Sequence, residues 1–244
     1  MIGITSHYPY IDNLDKHHGD GFQAIFRFMI DKPDQVLQRQ TNNQTQSQIL
    51  INFVLADKDI QTLLNAGADA RYIYKLENGI AADKFNAKSV SQAAHIDKTI
   101  YLGNITPRKG QARYCHLEGI HIIGPGGDGL ANYQGAWTRE DVYRRLGDYG
   151  NLMLLSEGEA DPLVVKEALM AGLGVVINET SGKNLDKSHD FISSIPDSRC
   201  GDLEYIQSIM DNNRKISIQK RDEIRNYARE HFSWPPLIAK YIGI

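Results

Sequence analysis

Seven short apolar runs, set apart by turn-rich or amphipathic stretches, constrain this chain more than any other feature. They are "IGIT" (2–5), "ILINFVLA" (49–56), "RYIYKL" (71–76), "KTIYLG" (98–103), "GIHIIG" (119–124), "NLMLL" (151–155) and "GVVIN" (174–178). Each is too short for a buried helix and rich in strand-forming residues. Helical periodicity lies between them, near 20–30, 57–66, 109–117, 138–147 and 161–171. Strands that run the same way must be joined by long crossovers, so the alternation predicts an α/β fold with a parallel sheet. From Asp202 onward "LEYIQSIMDNN", "IQKRDEIRNYAREHF" and "PPLIAKYIG" predict helix throughout.

At 244 residues the chain is long enough for one large domain or two modest ones, and burial of roughly 70% of its unfolded surface needs no covalent staples. Lys and Arg number 27 against 30 Asp and Glu, which excludes a polycation for nucleic acid. Cys115 and Cys200 are the only cysteines, too few for a zinc site or a disulfide framework, and read as reduced thiols in a cytoplasmic protein. No run approaches the ~20 apolar residues of a membrane span, and "MIGITSHYPY" has neither the basic start nor the apolar length of a signal peptide. Membrane association, if any, is peripheral, and the basic "NNRKISIQKRDEIR" (212–225) reads as a solvated helix face or a contact for acidic lipid.

The glutamine-rich "DKPDQVLQRQTNNQTQSQ" (31–48) predicts a surface loop with a weak helix in it. A polar stretch after the "NGIAADKF" turn (78–85) sets the expected boundary: residues 1–85, residues 86–230, and a closing helix over 231–244.

The densest chemistry lies in "SEGEADPLVVKEALMAGLGVVIN" (156–178). Asp161 before Pro162 predicts a helix start capped by the carboxylate, with Gly172 ending the helix. That start falls at the carboxyl end of a strand, where parallel sheets bind ligands and where free amides and the helix dipole favour an anion such as phosphate. Carboxylates beside an anion site need another role, and accepting hydrogen bonds from sugar hydroxyls is one. Glu159 in the loop and Glu167 in the helix then suit two hydroxylated rings flanking a diphosphate. The competing reading is that Glu157, Glu159 and Asp161 complement the dipole and Glu167 is solvated.

"EADPLVVKE" followed by "ALMAGLGVV" resembles the donor-site signature of retaining, nucleotide-sugar-dependent GT-B glycosyltransferases, in particular glycosyltransferase family 4 (group 1). Three more blocks follow the family's order: "LENGIAADKF" (76–85) is similar to its Asn-Gly turn, "YLGNITPRKGQ" (101–111) to its Gly-Arg…Lys-Gly loop, and "IHIIGPGGDG" (120–129) to its next strand and glycine turn. "FSWPPLIAKYI" resembles its closing helix, which crosses back to the first domain. The resemblance covers residues 49–244. It implies a Rossmann-like parallel-sheet donor domain, a shortened N-terminal acceptor-side domain, and carbohydrate biosynthesis as the setting.

The resemblance also implies roles. Glu159 would bond the donor sugar and Glu167 the ribose, with Glu157, Asp161, Pro162 and Leu163 lining the donor site. Lys109 and Arg108 would neutralise the leaving diphosphate, helped by the amides of residues 160–163. Gly103, Gly124, Gly126 and Gly127 would admit the nucleotide to the backbone, and His7 would face the sugar. Asn104 stands where the family usually has Arg, which removes a cation unless Arg108 substitutes. Transfer would retain anomeric configuration through an oxocarbenium-like transition state, without metal or cofactor. "DKD" (57–59) mimics a metal-binding triplet but reads better as a helix cap, and His17, His18 and Asp20 read as a loop. Trp137, Trp234 and "YIY" (72–74) read as packing.

Expected partners are a nucleotide-sugar donor and a glycan, lipid or protein acceptor. Because little sheet precedes the donor domain, self-association or a partner chain completing the N-terminal side is also expected. The alternatives are a non-catalytic nucleotide- or sugar-binding module, one part of a split glycosyltransferase, and a nucleotide-sugar epimerase of related fold.

Overall fold

The computed structural model describes residues 2–6, 39–41, 44–46, 50–65 and 67–242. His7, His17, His18, Asp20 and the helix expected near 20–30 lie outside them. Two compact units divide the chain, Met1–Glu77 and Asn78–Ile244, so the 78–85 turn lies with the second unit.

In the first unit β1 (Ile2–Ser6), β4 (Leu50–Val54) and β5 (Ile73–Lys75) form a parallel sheet in the order β1-β4-β5. Ile2 pairs with Leu50 and Asn52 with Ile73. Helix α1 (Asp57–Asn65) contributes Leu63 to a small core with Val54 and Ala68. Its start is held as the acidic triplet suggested: Asp59 accepts the Ala56 amide at 3.2 Å, and Asp57 pairs with Lys75 at 2.9 Å. The glutamine-rich stretch departs from expectation, because β2 (Arg39–Thr41) and β3 (Gln44–Gln46) pair as an antiparallel ladder. Thr and Gln alternate there with no apolar face, so hydrophobic patterning gave no sign of strands.

In the second unit five strands lie in the order β7-β6-β8-β9-β10, and every pairing is parallel. They are β6 (His95–Leu102), β7 (Ile120–Ile123), β8 (Tyr149–Leu154), β9 (Gly174–Asn178) and β10 (Ile192–Ile195). β8 and β9 are buried along their whole lengths, as central strands covered on both faces must be. β10 escaped the sequence reading because the serines of "ISSI" interrupt its apolar pattern. The unit also holds helices α2 (Gln111–Tyr114), α3 (Arg139–Arg145), α4 (Leu163–Met170), α5 (Leu203–Gln219), α6 (Arg221–Phe232) and α7 (Trp234–Ile242). Helix α4 packs on α6, and α5 packs on β8 and β9.

A polar seam joins α5 to the sheet. Buried Asn151 takes the Thr99 hydroxyl at 2.5 Å and donates to Met210 O and Asn213 Oδ1, each at 3.0 Å. Asn213 donates in turn to Phe191 O and Ser193 Oγ at 3.0 Å, and the Ser217 hydroxyl links Gly150 O to the Gly174 amide. The expectation of a solvated face over 212–225 holds for Asn212, Lys215, Gln219, Asp222 and Glu223, which are exposed, and is corrected for the buried residues of the segment. Asn213, Ser217, Arg221 and Arg225 are buried, and the two arginines donate to carbonyls of Lys88, Gly147 and Tyr149. Arg221 has a pKa lowered to about 10 by burial and by the charge of Arg225. No described helix is long and apolar enough to cross a membrane.

Candidate functional site

The first strand of the larger sheet, β6, is followed in sequence by β7 on one side and, after a crossover, by β8 on the other. Connections from β6 and β8 leave in opposite directions, and this switch point opens a crevice at the carboxyl ends of the two strands. The loops over 103–110 and 155–162 leave those two carboxyl ends.

Each loop is held by local chemistry. Thr106 accepts the Lys109 amide at 3.3 Å, making a single tight turn over Pro107–Lys109. Fully buried Gln111 donates to Asn104 O at 3.0 Å and accepts the Thr106 amide at 3.3 Å. Ser156 and Gly158 close a short turn of their own, and Asn178 on β9 donates to Ser156 O at 2.9 Å.

The two loops are also tied to one another. Arg108 donates to Gly158 O at 2.6 Å, and the Glu157 amide donates to Arg108 O at 2.9 Å. Tyr101, without exposed surface, donates its hydroxyl to Lys109 O and accepts the Leu155 amide at 3.0 Å. Burial pushes its pKa far above the ordinary phenol value. This brings Lys109 Nζ to 3.2 Å from Glu159 Oε1, with side chains only 16% and 11% exposed. Glu159 Oε1 is in ionic contact with the ammonium but accepts no hydrogen bond.

Two glycines at this edge, Gly124 and Gly127, are packed tightly against neighbouring loops. Gly124 has φ +146, and a Cβ there would stand 1.9 Å from Gly103 O, so no other residue fits. Buried Gly127 is pressed between Ile105 and Tyr133, whereas Gly126 is exposed. The Lys109 ammonium lies over Gly103, 3.5 Å from where a Cβ would be. Asn104 is exposed.

Asp161 does not cap the helix. α4 begins at Leu163, Pro162 is its N-cap residue, and no side chain caps it. The Asp161 carboxylate instead takes the Asn78 amide at 2.7 Å and the Lys166 ammonium at 2.7 Å, both ionic side chains being 1% exposed. Lys166 also donates to Asn78 O at 3.0 Å, and Asn78 Nδ2 donates to Asp161 O at 3.0 Å. A proline at the N-cap turned Asp161 back toward this stronger partner, and it left the first amides of α4 without a side-chain acceptor. The Asn-Gly turn is thereby fixed to the loop. Trp234 covers it, its ring 2.5 Å from where a Gly79 Cβ would stand.

Glu167, just over one turn into α4, is 3% exposed. Burial raises its pKa, and the contacting Arg139 at the start of α3 counteracts that rise. Glu157 points outward, 3.7 Å from Arg113. Leu163 is exposed at the helix start. The structure thus brings Lys109, Arg108, Glu159 and the start of α4 together, places Glu167 in the adjoining helix face, and leaves Glu157 at the rim. Tyr101, Gln111, Lys166 and Arg139 escaped the sequence reading. Lys166, a lysine inside an apolar helix run, was the one that carried a signal. Among the described residues no cluster of three or more His, Cys, Asp or Glu could hold a metal ion. Trp137 packs against the core with Arg145 over its ring at 4.6 Å, while Trp234 is 44% exposed. Cys115 and Cys200 are free thiols.

No family model matches the sequence, and no curated protein sequence is similar to it. Solved structures are similar in fold. A point mutant of Staphylococcus aureus TarM, complexed with fondaparinux, α-GlcNAc-glycerol and UDP, superposes with a TM-score of 0.70 at 14% identity, over 99% of this chain and 50% of its own. Anabaena HepE in complex with UDP-glucose gives 0.69 at 12% identity, over 99% and 71%. WaaG, a glycosyltransferase involved in lipopolysaccharide biosynthesis, gives 0.65 at 14% identity, over 98% and 74%. This chain spans about half the length of TarM. Its fold is the α/β GT-B fold of these proteins.

Proposed function

We propose that this GT-B chain is a glycosyltransferase that moves a sugar from a nucleoside diphosphate to an acceptor hydroxyl on a glycan, lipid or protein, with retention of anomeric configuration and without metal. One observation carries the reading: the switch-point loops converge to set Lys109 and Glu159 in contact, beside a helix start with no side-chain cap. An ammonium and free amides suit a diphosphate, and a buried carboxylate with no hydrogen bond on one oxygen suits sugar hydroxyls.

In the proposed reaction the bond from the anomeric carbon to the diphosphate lengthens first, and negative charge grows on the departing phosphate oxygens. Lys109 and the amides of Leu163 and Val164 stabilise that charge where it develops. Glu159 holds the sugar, and Glu167 accepts the ribose hydroxyls. Arg108 acts by fixing the 158 carbonyl and thus the loop, and Asp161 acts as the anchor of that loop to Asn78. With Lys109 over Gly103, the cation missing at Asn104 is supplied from the opposite side of the same loop.

The complexes of HepE with UDP-glucose and of TarM with UDP make uridine nucleotides the first probes. Titration calorimetry with UDP-glucose, UDP-GlcNAc, GDP-mannose and ADP-glucose tests donor binding. Glu159→Ala should abolish the sugar's share of the affinity while sparing that of the nucleoside diphosphate. Chelator should leave transfer unchanged, and the anomeric proton coupling of the product reports retention. Wild-type affinity for every donor equal to that of Glu159→Ala would overturn the assignment. A second reading, a binding module or one part of a split enzyme, draws on Asn104 standing where the family usually has Arg. Donor binding without transfer or hydrolysis would establish it.

A further inference from the structure

Arg139 occupies the first turn of α3, directly after Thr138, which exchanges reciprocal capping bonds with Asp141. Its Nε donates to the Tyr143 hydroxyl at 2.8 Å, and its guanidinium lies over the Tyr143 ring at 4.6 Å. Tyr143 stands edge-on to Phe85, with ring centroids 5.1 Å apart. The arginine is thus braced on the side facing its own helix, and its outer end contacts Glu167 Oε1.

Burial within this pair is lopsided: the Glu167 side chain is 4% exposed and that of Arg139 is 52% exposed. A carboxylate taken that far from water keeps its charge only beside a compensating group. The other candidates are engaged elsewhere. On α4 itself, Lys166 is bound to Asp161. On α6, which packs against α4, Arg221 and Arg225 donate to backbone carbonyls, and Tyr227 and His231 lie in one aromatic cluster with His189. On β8 the Tyr149 hydroxyl is bonded to His121, and β9 carries no acid or base. Among the described residues Arg139 is the charge that acts on Glu167.

We infer that Arg139 is a positioning residue for Glu167: it holds that buried carboxylate charged and in place, so that it can accept hydrogen bonds from the two ribose hydroxyls of a nucleoside diphosphate. The inference rests on the reading of the site under "Proposed function" and adds to it a residue outside the donor signature. A charged carboxylate accepts from both members of a vicinal diol, whereas a protonated one must itself donate and accepts more weakly.

The test has a readout that needs no ligand. Carbon-13 NMR of glutamate-labelled protein follows the titration of the Glu167 carboxyl. Arg139→Met should move that titration upward by about one pH unit or more, and Arg139→Lys should restore at least half of the shift. UDP binding is then measured by calorimetry. Arg139→Met should weaken it about tenfold near pH 5.5 and only about threefold near pH 8, where Glu167 is charged in either protein. Binding of 2′,3′-dideoxy-UDP should not distinguish the variants from wild type.

An unchanged Glu167 titration in Arg139→Met would overturn the inference alone. So would UDP binding by that variant as tight as, or tighter than, wild type near pH 5.5, which would make Arg139 an obstruction of the ribose position. Wild-type protein that binds none of UDP, GDP and ADP would overturn the nucleotide reading of the whole site, whatever the titration shows.

Discussion

Replacing Lys166 with Met removes one half of the most deeply buried ion pair described here. Asp161 and Lys166 meet at 2.7 Å with side chains 1% exposed, so the loss strands a carboxylate that water cannot reach. Breaking such a pair costs about 3–5 kcal/mol. Two features reduce that figure: the Asn78 amide still donates to Asp161 at 2.7 Å, and Met keeps the apolar length of the lysine stem. About 3 kcal/mol remains, and at about 2–4 °C per kcal/mol for a chain of this size it lowers Tm by roughly 6–12 °C. Converting both residues, Asp161→Asn with Lys166→Met, removes the stranded charge and should recover most of the loss, because neutral replacements of buried pairs are often tolerated. Thermal and urea unfolding of the wild type, both single variants and the double variant complete the cycle. Loss of less than about 1 kcal/mol in Lys166→Met, or a double variant no more stable than the single ones, would refute the reasoning that an uncompensated charge is the cause.

Tyr101→Phe deletes the hydroxyl shared by the two switch-point loops, leaving a buried amide and carbonyl unmet. It should cost about 1–3 kcal/mol in unfolding and weaken UDP-glucose binding, whereas affinity equal to wild type would show that the loops hold without it. Gly79→Ala puts a methyl group 2.5 Å from the Trp234 ring; a loss of about 1–3 kcal/mol with red-shifted tryptophan emission is expected from overpacking. His121 has a pKa below its ordinary 6.5 through burial and the neighbouring His95. The unfolded chain therefore binds the proton more readily, and this histidine's contribution to stability is complete above about pH 6.5 and falls as the pH drops through the unfolded value. His121→Gln should flatten the Tm profile between about pH 5 and pH 7, and an identical slope in both proteins would dismiss the assignment.

The sheet of the second unit was legible because each of its first four strands carries a compact apolar run, since burial on both faces removes the need for alternation, and Gly103 and Gly124 mark where β6 and β7 leave the sheet. "GVVIN" matches β9 residue for residue. Glu159 could be read from its place in the loop before a helix start, whereas Lys109 and Arg108 came from the resemblance of "YLGNITPRKGQ" to the family's Lys-Gly loop. Asp161 misled, because acid followed by proline suits a capped helix start in isolation, and a partner at Asn78, far away in sequence, decided the outcome. Arg139 and Tyr101 were silent for the same reason: their roles depend on what α3 and β6 are packed beside. The segment 212–225 misled in part through composition, as Arg221 and Arg225 meet carbonyls that no local pattern reveals.

The ladder running from Thr99 through Asn151 to Asn213 and Ser217 works as a positional key. An apolar helix could slide along an apolar sheet with small penalty, yet translation of α5 by a single turn of about 5.4 Å would orphan every amide and hydroxyl in the set at once. Mismatched docking is therefore punished far more heavily than correct docking is rewarded. Because β6 and β8 both engage this helix from beneath, the alignment of the two strands whose ends define the crevice is dictated from the opposite end of the sheet.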